Sequence, residues 1–166
     1  MDHQDYMRAA FRLAADAAAV DEVPVGALCV RDGVRLGEGF NQNISCRDPS
    51  AHAEILALRD ACAYIDNYRL LDTTLYVTLE PCLMCFTACV HARVKRIVFG
   101  AYDPKQGFTH ILGESQRASL NHQIEVVPGV LEAEAQEQIR AFFREKRARG
   151  KRKWMRKAGL EPPTES

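Results

Sequence analysis

Two cysteines separated by two residues stand directly after a proline in the stretch LEPCLMC, residues 79–85. Cys82 and Cys85 are compatible with a redox pair, a disulfide or part of a metal site, and a single C-x-x-C motif does not choose among these. The deciding residues lie upstream in the stretch AHAE, where His52 and Glu54 stand near the start of a predicted helix. Two thiols, an imidazole and a carboxylate at the openings of two successive helices predict a metal site.

The spacing of these residues favours a catalytic zinc over a structural one. Cysteines at i and i+3 are neighbours in the first turn of a helix, and their sulfurs can reach the roughly 3.8 Å separation that tetrahedral zinc needs. With His52, Cys82 and Cys85 as the three protein ligands, the fourth position stays open for water, which is typical of catalytic sites.

Glu54 has a different predicted role, because residues two apart in a helix point about 200° apart. It would therefore not bind the same ion as His52 from the middle of a helix. We expect Glu54 to take a proton from the water and pass it to a leaving amine, which is general acid/base catalysis.

Hydrophobic patterning predicts the element order α-β-β-α-β-α-β-loop-β-α. The sequence RDGV marks a hairpin turn, TTLYVTLE is a β-branched strand, and the second helix is expected to start with Asp48 as its cap and Pro49 in its first turn. Residues 102–122 are predicted to be a loop, followed by a short strand and a long helix. Strands separated by helices favour parallel pairing, so we expect an α/β fold, a three-layer α-β-α sandwich with a mixed five-stranded sheet. A single domain over residues 1–158 and an unstructured tail over 159–166 complete the prediction.

Composition excludes a membrane protein, since no stretch of the 166 residues approaches the 18 uninterrupted apolar residues of a membrane span. The first residues carry acids where a signal peptide has basic residues, so a cytoplasmic location is expected. Six cysteines in such a chain are expected to be thiols rather than a disulfide scaffold, and we interpret Cys29, Cys46, Cys62 and Cys89 as buried or idle thiols.

Charge is strongly segregated although the net charge is zero. Nine basic residues and one acid lie between Arg144 and Lys157, a local balance of +8, and the rest of the chain carries −8. Phe142, Phe143 and Trp154 accompany these basic residues, which is typical of a surface that binds RNA phosphates and stacks on bases. A solvated helix end is the alternative.

The motifs HAE and PCLMC resemble the H-x-E…P-C-x-x-C signature of zinc nucleobase deaminases. The similarity extends through most of the chain, in VPVGALCV, GEGFN, DPSAHAEILALR, NYRLLDTTLYVTLEPCLMC, RIVFGAYDPKQG and the last long helix. In these segments the chain resembles the family of bacterial tRNA adenosine deaminases, which convert the wobble adenosine of an anticodon to inosine on a cytidine deaminase-like fold.

The resemblance implies a role for several residues. His52, Cys82 and Cys85 match the ligands of one Zn²⁺ per subunit, Glu54 the proton shuttle, and Asn41 an asparagine that contacts the flipped purine. Asp103 and Lys105 match positions close to the RNA backbone, with a simple polar turn as the alternative, and Phe143 and Arg144 are RNA-contact candidates on the last helix. The resemblance also implies a homodimer with the tRNA anticodon loop bound across the subunit boundary.

Two segments depart from the family pattern. The family has small residues after the second cysteine and after DPKQG, whereas this chain has Phe86-Thr87-Ala88 and Phe108-Thr109-His110-Ile111. Larger rings at these places are expected to narrow the nucleotide pocket or to repack the dimer contact.

Two further functions stay open from the sequence. A deaminase of a free nucleobase or nucleoside would use the same chemistry, but it has no need of a basic extension. A non-catalytic, zinc-stabilised RNA-binding module would need a fourth protein ligand, for which Cys89, one turn after Cys85, is the local candidate.

Overall fold

The β-branched and aromatic segments of the chain form one mixed sheet in the computed structural model, which describes residues 1–160. Its strands are β1 (Gly26–Arg31), β2 (Val34–Phe40), β3 (Thr74–Leu79), β4 (Arg96–Ala101) and β5 (Glu125–Val127), in the spatial order β2-β1-β3-β4-β5. β1 is antiparallel to β2 and to β3, whereas β3, β4 and β5 are parallel. The predicted mixed five-stranded sheet is confirmed.

Seven helices accompany the sheet in the described part of the chain: α1 (His3–Ala19), α2 (Asn43–Cys46), α3 (Ala53–Ile65), α4 (Leu83–His91), α5 (Phe108–Ile111), α6 (Glu114–Ala118) and α7 (Glu132–Lys157). Within residues 1–160, no helix combines the length and the apolar character needed to cross a bilayer.

Alternation along the strands places a hydrophobic core on each face of the sheet. On one face, residues of β1 and β3 such as Cys29 and Val77 pack with α3 and α4. On the other face, Leu28 and Val98 pack with the buried side of α1, and α7 crosses β4 at Gly100, where an added Cβ would lie 2.8 Å from the Cβ of Ala135. The three predicted layers are therefore present.

The predicted start of the second helix is wrong, because α3 begins at Ala53 rather than at Asp48. Oδ1 of Asp48 accepts hydrogen bonds from N and Oγ of Ser50, at 2.8 and 2.7 Å, and so closes a local turn instead of capping the helix. His52 occupies the N-cap position with extended backbone angles. This shift places the predicted metal ligand at the end of the helix rather than inside it.

Two short helices lie in the segment predicted as a loop, α5 and α6, and α2 follows β2 without a strong sequence signal. The last helix confirms the prediction of one long basic element. Of the predicted unstructured tail, residues 161–166 lie outside the described residues.

Candidate metal centre

The predicted site residues follow strand ends that meet at one edge of the sheet. Asn41 follows β2, Cys82 follows β3 and Asp103 follows β4. β2, β3 and β4 run in the same direction, so the connections after them emerge at the same edge, where α/β proteins place their ligands. His52 joins them because it stands directly before α3, which packs under β1 and β2.

The three predicted metal ligands converge. Nδ1 of His52 lies 3.6 Å from Sγ of Cys82 and 3.5 Å from Sγ of Cys85. Zinc–sulfur and zinc–nitrogen bonds of about 2.3 and 2.05 Å at a tetrahedral angle require a nitrogen–sulfur separation of about 3.6 Å. Both nitrogen–sulfur separations therefore match a tetrahedral zinc site, and all three donor atoms lie within 4.8 Å of one another.

Helix termini produce this convergence. Cys82 is the N-cap of α4 and Cys85 is in its first turn, so both thiols lie at the positive end of that helix. His52 is the N-cap of α3. The partial positive charge of a helix N-terminus favours the thiolate form that binds metal.

The two thiols titrate as a coupled pair. A hydrogen bond from Cys85 lowers the pKa of Cys82 to about 4, whereas the same interaction, together with burial, raises the pKa of Cys85. The hydrogen bond to Cys82 likewise raises the pKa of His52. Because thiols bind zinc in the deprotonated form, zinc binding at this site releases protons.

Glu54 lies beside the ligands but is not one of them. Among residues 1–160, the cluster of donor atoms within 4.8 Å of one another contains only His52, Cys82 and Cys85. The Glu54 side chain is buried at 3% exposure, and burial raises its pKa to about 7 against the opposing effects of a backbone hydrogen bond and of His52. A carboxyl group with this pKa can both accept and release a proton near neutral pH.

The Cys89 thiol takes no part in the cluster. It is fully buried among the core residues between α4 and the sheet, and this burial raises its pKa well above the usual value. Within the described residues no fourth His, Cys, Asp or Glu donor joins the three ligands, which disfavours the structural-zinc alternative.

Asn41 is placed at the start of α3, next to His52. Its Oδ1 accepts a hydrogen bond of 2.9 Å from the backbone N–H of Ala53. This contact fixes the amide orientation and directs the two N–H donors of Nδ2 away from the helix. Contact of Asn41 with a purine stays a prediction.

Asp103, Lys105 and Phe143 share a cleft of about 410 Å³ between α7 and the ends of β3 and β4. None of the three metal ligands lines this cleft. Oδ1 of Asp103 accepts hydrogen bonds from the backbone N–H groups of Lys105 and Gln106, so Asp103 does form the polar turn considered as an alternative.

Arg144, by contrast, does not line this cleft. Its guanidinium pairs with Glu137 at 2.9 Å on the exposed surface of α7. RNA contacts by Asp103, Lys105, Phe143 and Arg144 stay predictions.

The two departures from the family pattern contact each other. The rings of Phe86 and Phe108 stack with centroids 4.1 Å apart and planes 5° from parallel, and both side chains are buried in the core. The enlarged residues thus fill the space between α4 and α5 rather than the cleft.

Two buried carboxylates at this edge of the sheet were missed by the sequence reasoning. Glu22 accepts hydrogen bonds from the backbone N–H groups of Ile44 and Ser45, and Glu80 accepts them from Asp103 and Thr109. The position of Glu80 in the sequence could have revealed it. A charged residue between a buried strand and the metal ligand Cys82 is expected to be buried, and a buried charge needs a polar partner.

The fold and this site define a zinc-dependent deaminase of the cytidine deaminase type. A family model, the cytidine and deoxycytidylate deaminase zinc-binding region, matches residues 1–101. The chain is 48% identical over 146 residues to a tRNA-specific adenosine deaminase of Haemophilus influenzae, covering 85% of this chain and 83% of that relative. It is 44% identical over 147 residues to a tRNA-specific adenosine deaminase of Bacillus subtilis, covering 88% of this chain and 91% of that relative.

A solved structure from work on A-to-I editing by tRNA deaminases at the wobble position superposes with a TM-score of 0.75 at 38% identity. The match covers 81% of this chain and 98% of the other. The protein therefore belongs to the cytidine and deoxycytidylate deaminase family and, within it, to the tRNA-specific adenosine deaminases.

Proposed function

We propose that this protein is a zinc-dependent hydrolase that converts adenosine to inosine at the wobble position of a tRNA anticodon. The observation that carries the proposal is a three-ligand metal site beside the buried carboxylate of Glu54 in a chain of this family. A zinc that only stabilised the fold would have no use for a buried acid at this place.

The residues of the chain divide the work of the reaction, in which water and adenosine give inosine and ammonia. One zinc per subunit, held by His52, Cys82 and Cys85, supplies a Lewis acid that makes water a nucleophile near neutral pH. Glu54 takes one proton from the attacking water and delivers it to N1 of the purine, where it stays in inosine. It then takes the second proton from the oxygen added at C6 and delivers it to the amine, which leaves as ammonia. The Nδ2 donors of Asn41 hold the flipped base in place.

The substrate is proposed to be RNA because of the surface of α7. Phe143, Arg147, Lys151 and Trp154 are all exposed and follow one another at helical spacing along one side of the helix. Arg149, in contrast, is turned to the body, where it pairs with Asp21 at 2.8 Å. A side that carries both aromatic rings and cations suits a strand of nucleotides, which offers bases to stack on and phosphates to neutralise.

A homodimer and a cytoplasmic location belong to the same proposal. Ile44, Met84 and Ile111 are exposed apolar residues in segments that lie after strand ends at the edge carrying the metal site, and a second copy of the chain would cover such side chains. All six cysteines are free thiols, as suits the reducing compartment where tRNA is edited.

The test is a comparison of substrates with the zinc-loaded protein. An anticodon stem-loop with a wobble adenosine, the same RNA with a wobble guanosine, and free adenine, guanine and cytosine are incubated in parallel. Inosine in the first RNA and no turnover of the others supports the proposal. Ammonia release from a free base without inosine in the RNA would favour the free-nucleobase alternative.

A further inference from the structure

Glu80 is a buried acid at the metal edge that the proposed chemistry does not use. Its side chain is 3% exposed, and it stands between β3 and the Pro81-Cys82 pair. Its own backbone N–H donates to the carbonyl of Ala101 at the end of β4. Glu80 thus lies where the neighbouring strands β3 and β4 both end.

The carboxylate of Glu80 is fully occupied by the segment 103–109. Oε2 accepts a hydrogen bond of 3.0 Å from the backbone N–H of Asp103, and Oε1 accepts one of 2.9 Å from the backbone N–H of Thr109. The hydroxyl of Thr109 donates a further hydrogen bond to Oε1. Both ends of the segment are therefore fixed to one side chain.

The backbone around the carboxylate is built for this close approach. Gly107 lies so near that a Cβ there would overlap Oε2 of Glu80, which explains the absence of a side chain at this position. Cys82 forms a β-bridge with Gly107, and the N–H of Phe108 donates to the carbonyl of Pro81 at 3.0 Å. The segment 103–109 and residues 80–82, which end in the metal ligand Cys82, thus form one hydrogen-bonded unit.

We propose that Glu80 is a positioning residue that holds the segment 103–109 against the metal loop, so that Asp103 and Lys105 face the RNA in a fixed arrangement. This inference rests on the proposed function, because it assigns the segment to RNA recognition. Glu80 is not part of the donor cluster of the metal site, and its carboxylate oxygens are bonded to Asp103 and Thr109. Its removal therefore affects the binding of RNA more than the rate of the bound substrate.

Glu80→Gln is the principal variant. An amide has one acceptor oxygen where the carboxylate has two, so a backbone N–H of the segment loses its partner. We expect the KM for the anticodon stem-loop to rise about tenfold, kcat to stay within about threefold, and zinc content to stay at one per chain. Thr109→Val removes only the hydroxyl donor and should raise KM about threefold, whereas Thr109→Ser keeps it and should behave as the unmodified protein.

Thr78→Val provides the matched control. Thr78 lies in β3, the strand that directly precedes Glu80, and its hydroxyl accepts a buried hydrogen bond from the N–H of Gly26 instead of one from the segment 103–109. This variant should lose stability without a change in KM. Amide hydrogen exchange of the peptide 102–110 gives a readout independent of RNA, and it should accelerate in Glu80→Gln but not in Thr78→Val.

Three results would overturn the inference: unchanged exchange in Glu80→Gln, accelerated exchange with an unchanged KM, or a fall in kcat that follows loss of zinc. None of these three results tests whether the protein deaminates adenosine. That question is answered separately by the activity of the unmodified protein and of Thr78→Val. Conversely, no inosine formation by the unmodified protein would refute the proposed function, while the exchange data would still show whether Glu80 holds the segment.

Discussion

The Phe86–Phe108 stack gives the sharpest test of how this chain packs its metal edge. The side chains are 3% and 0% exposed, and their rings lie face to face at 4.1 Å. Substitution of either Phe by Leu removes about three buried carbon atoms, worth about 2 kcal/mol at about 0.8 kcal/mol each, and also the aromatic pairing, worth about 1 kcal/mol. The free energy of unfolding should therefore fall by about 3 kcal/mol and the Tm by about 6–12 °C.

The double variant should lose less stability than the sum of the losses in the two single variants. An aromatic pair is worth about 1 kcal/mol beyond the area that it buries, and either single variant already loses that amount. We expect Phe86→Leu/Phe108→Leu to be destabilised by about 5 kcal/mol rather than by about 6 kcal/mol, the sum of the two single losses. Urea unfolding of the protein at a fixed excess of zinc measures all three values, since bound metal adds to apparent stability.

A second cycle provides the control. Phe142 is a buried ring of α7, on the other side of the sheet from Phe86, so Phe86→Leu and Phe142→Leu should be additive within about 0.5 kcal/mol. Strict additivity of Phe86→Leu and Phe108→Leu, or single losses below about 0.5 kcal/mol, would refute the idea that the two enlarged residues pack as a pair.

Three further predictions concern the site and the RNA. Glu54→Gln should keep zinc and the fold but lower kcat by at least about 100-fold, because the amide cannot shuttle protons. Metal analysis and single-turnover kinetics measure the two effects, and near-normal turnover would contradict the prediction. Replacing Arg144, Arg147 and Lys151 by Gln should reduce the slope of log affinity against log salt by about 2 to 3. Lys95→Gln, at the opposite edge of the sheet, should leave the slope unchanged, and a salt titration of RNA binding in which both variants behave alike would exclude α7 as the RNA surface. Removal of zinc by a chelator should abolish deamination while the far-ultraviolet circular dichroism stays native-like, since neither hydrophobic core contains a metal ligand. Activity that survives chelation would contradict the role of the metal.

The metal ligands were predictable because their geometry is local to two helix starts. Cys82 and Cys85 are neighbours through helical spacing alone, and the common direction of β2, β3 and β4 brings His52 and Glu54 to the same edge. A strand pattern and a motif therefore sufficed for the sheet and the ligand set. The same reasoning predicted that Glu54 is not a metal ligand, and in the described residues the cluster of donor atoms does not include it.

The features that the sequence did not reveal depend on partners distant in the chain. Glu80 meets Thr109 across 29 positions, and nothing in the local pattern around either residue announces that contact. The sequence presents Phe86 and Phe108 as two separate departures from the family pattern. Their stacking depends on where α5 lies in three dimensions, which the sequence pattern does not specify. Asp48 is of a residue type that often caps helices. Its carboxylate instead accepts hydrogen bonds from the N–H and the hydroxyl of Ser50, and the helix starts at Ala53.

The coordination of the bound metal tests the central claim most directly. X-ray absorption spectroscopy of the zinc-loaded protein should show one zinc per chain with two sulfur ligands at about 2.3 Å, one imidazole nitrogen and one further light atom from solvent, and Cys89→Ser should leave the spectrum unchanged. A third sulfur that disappears in Cys89→Ser, or a purified active protein that binds no metal, would contradict the account of a three-ligand catalytic site.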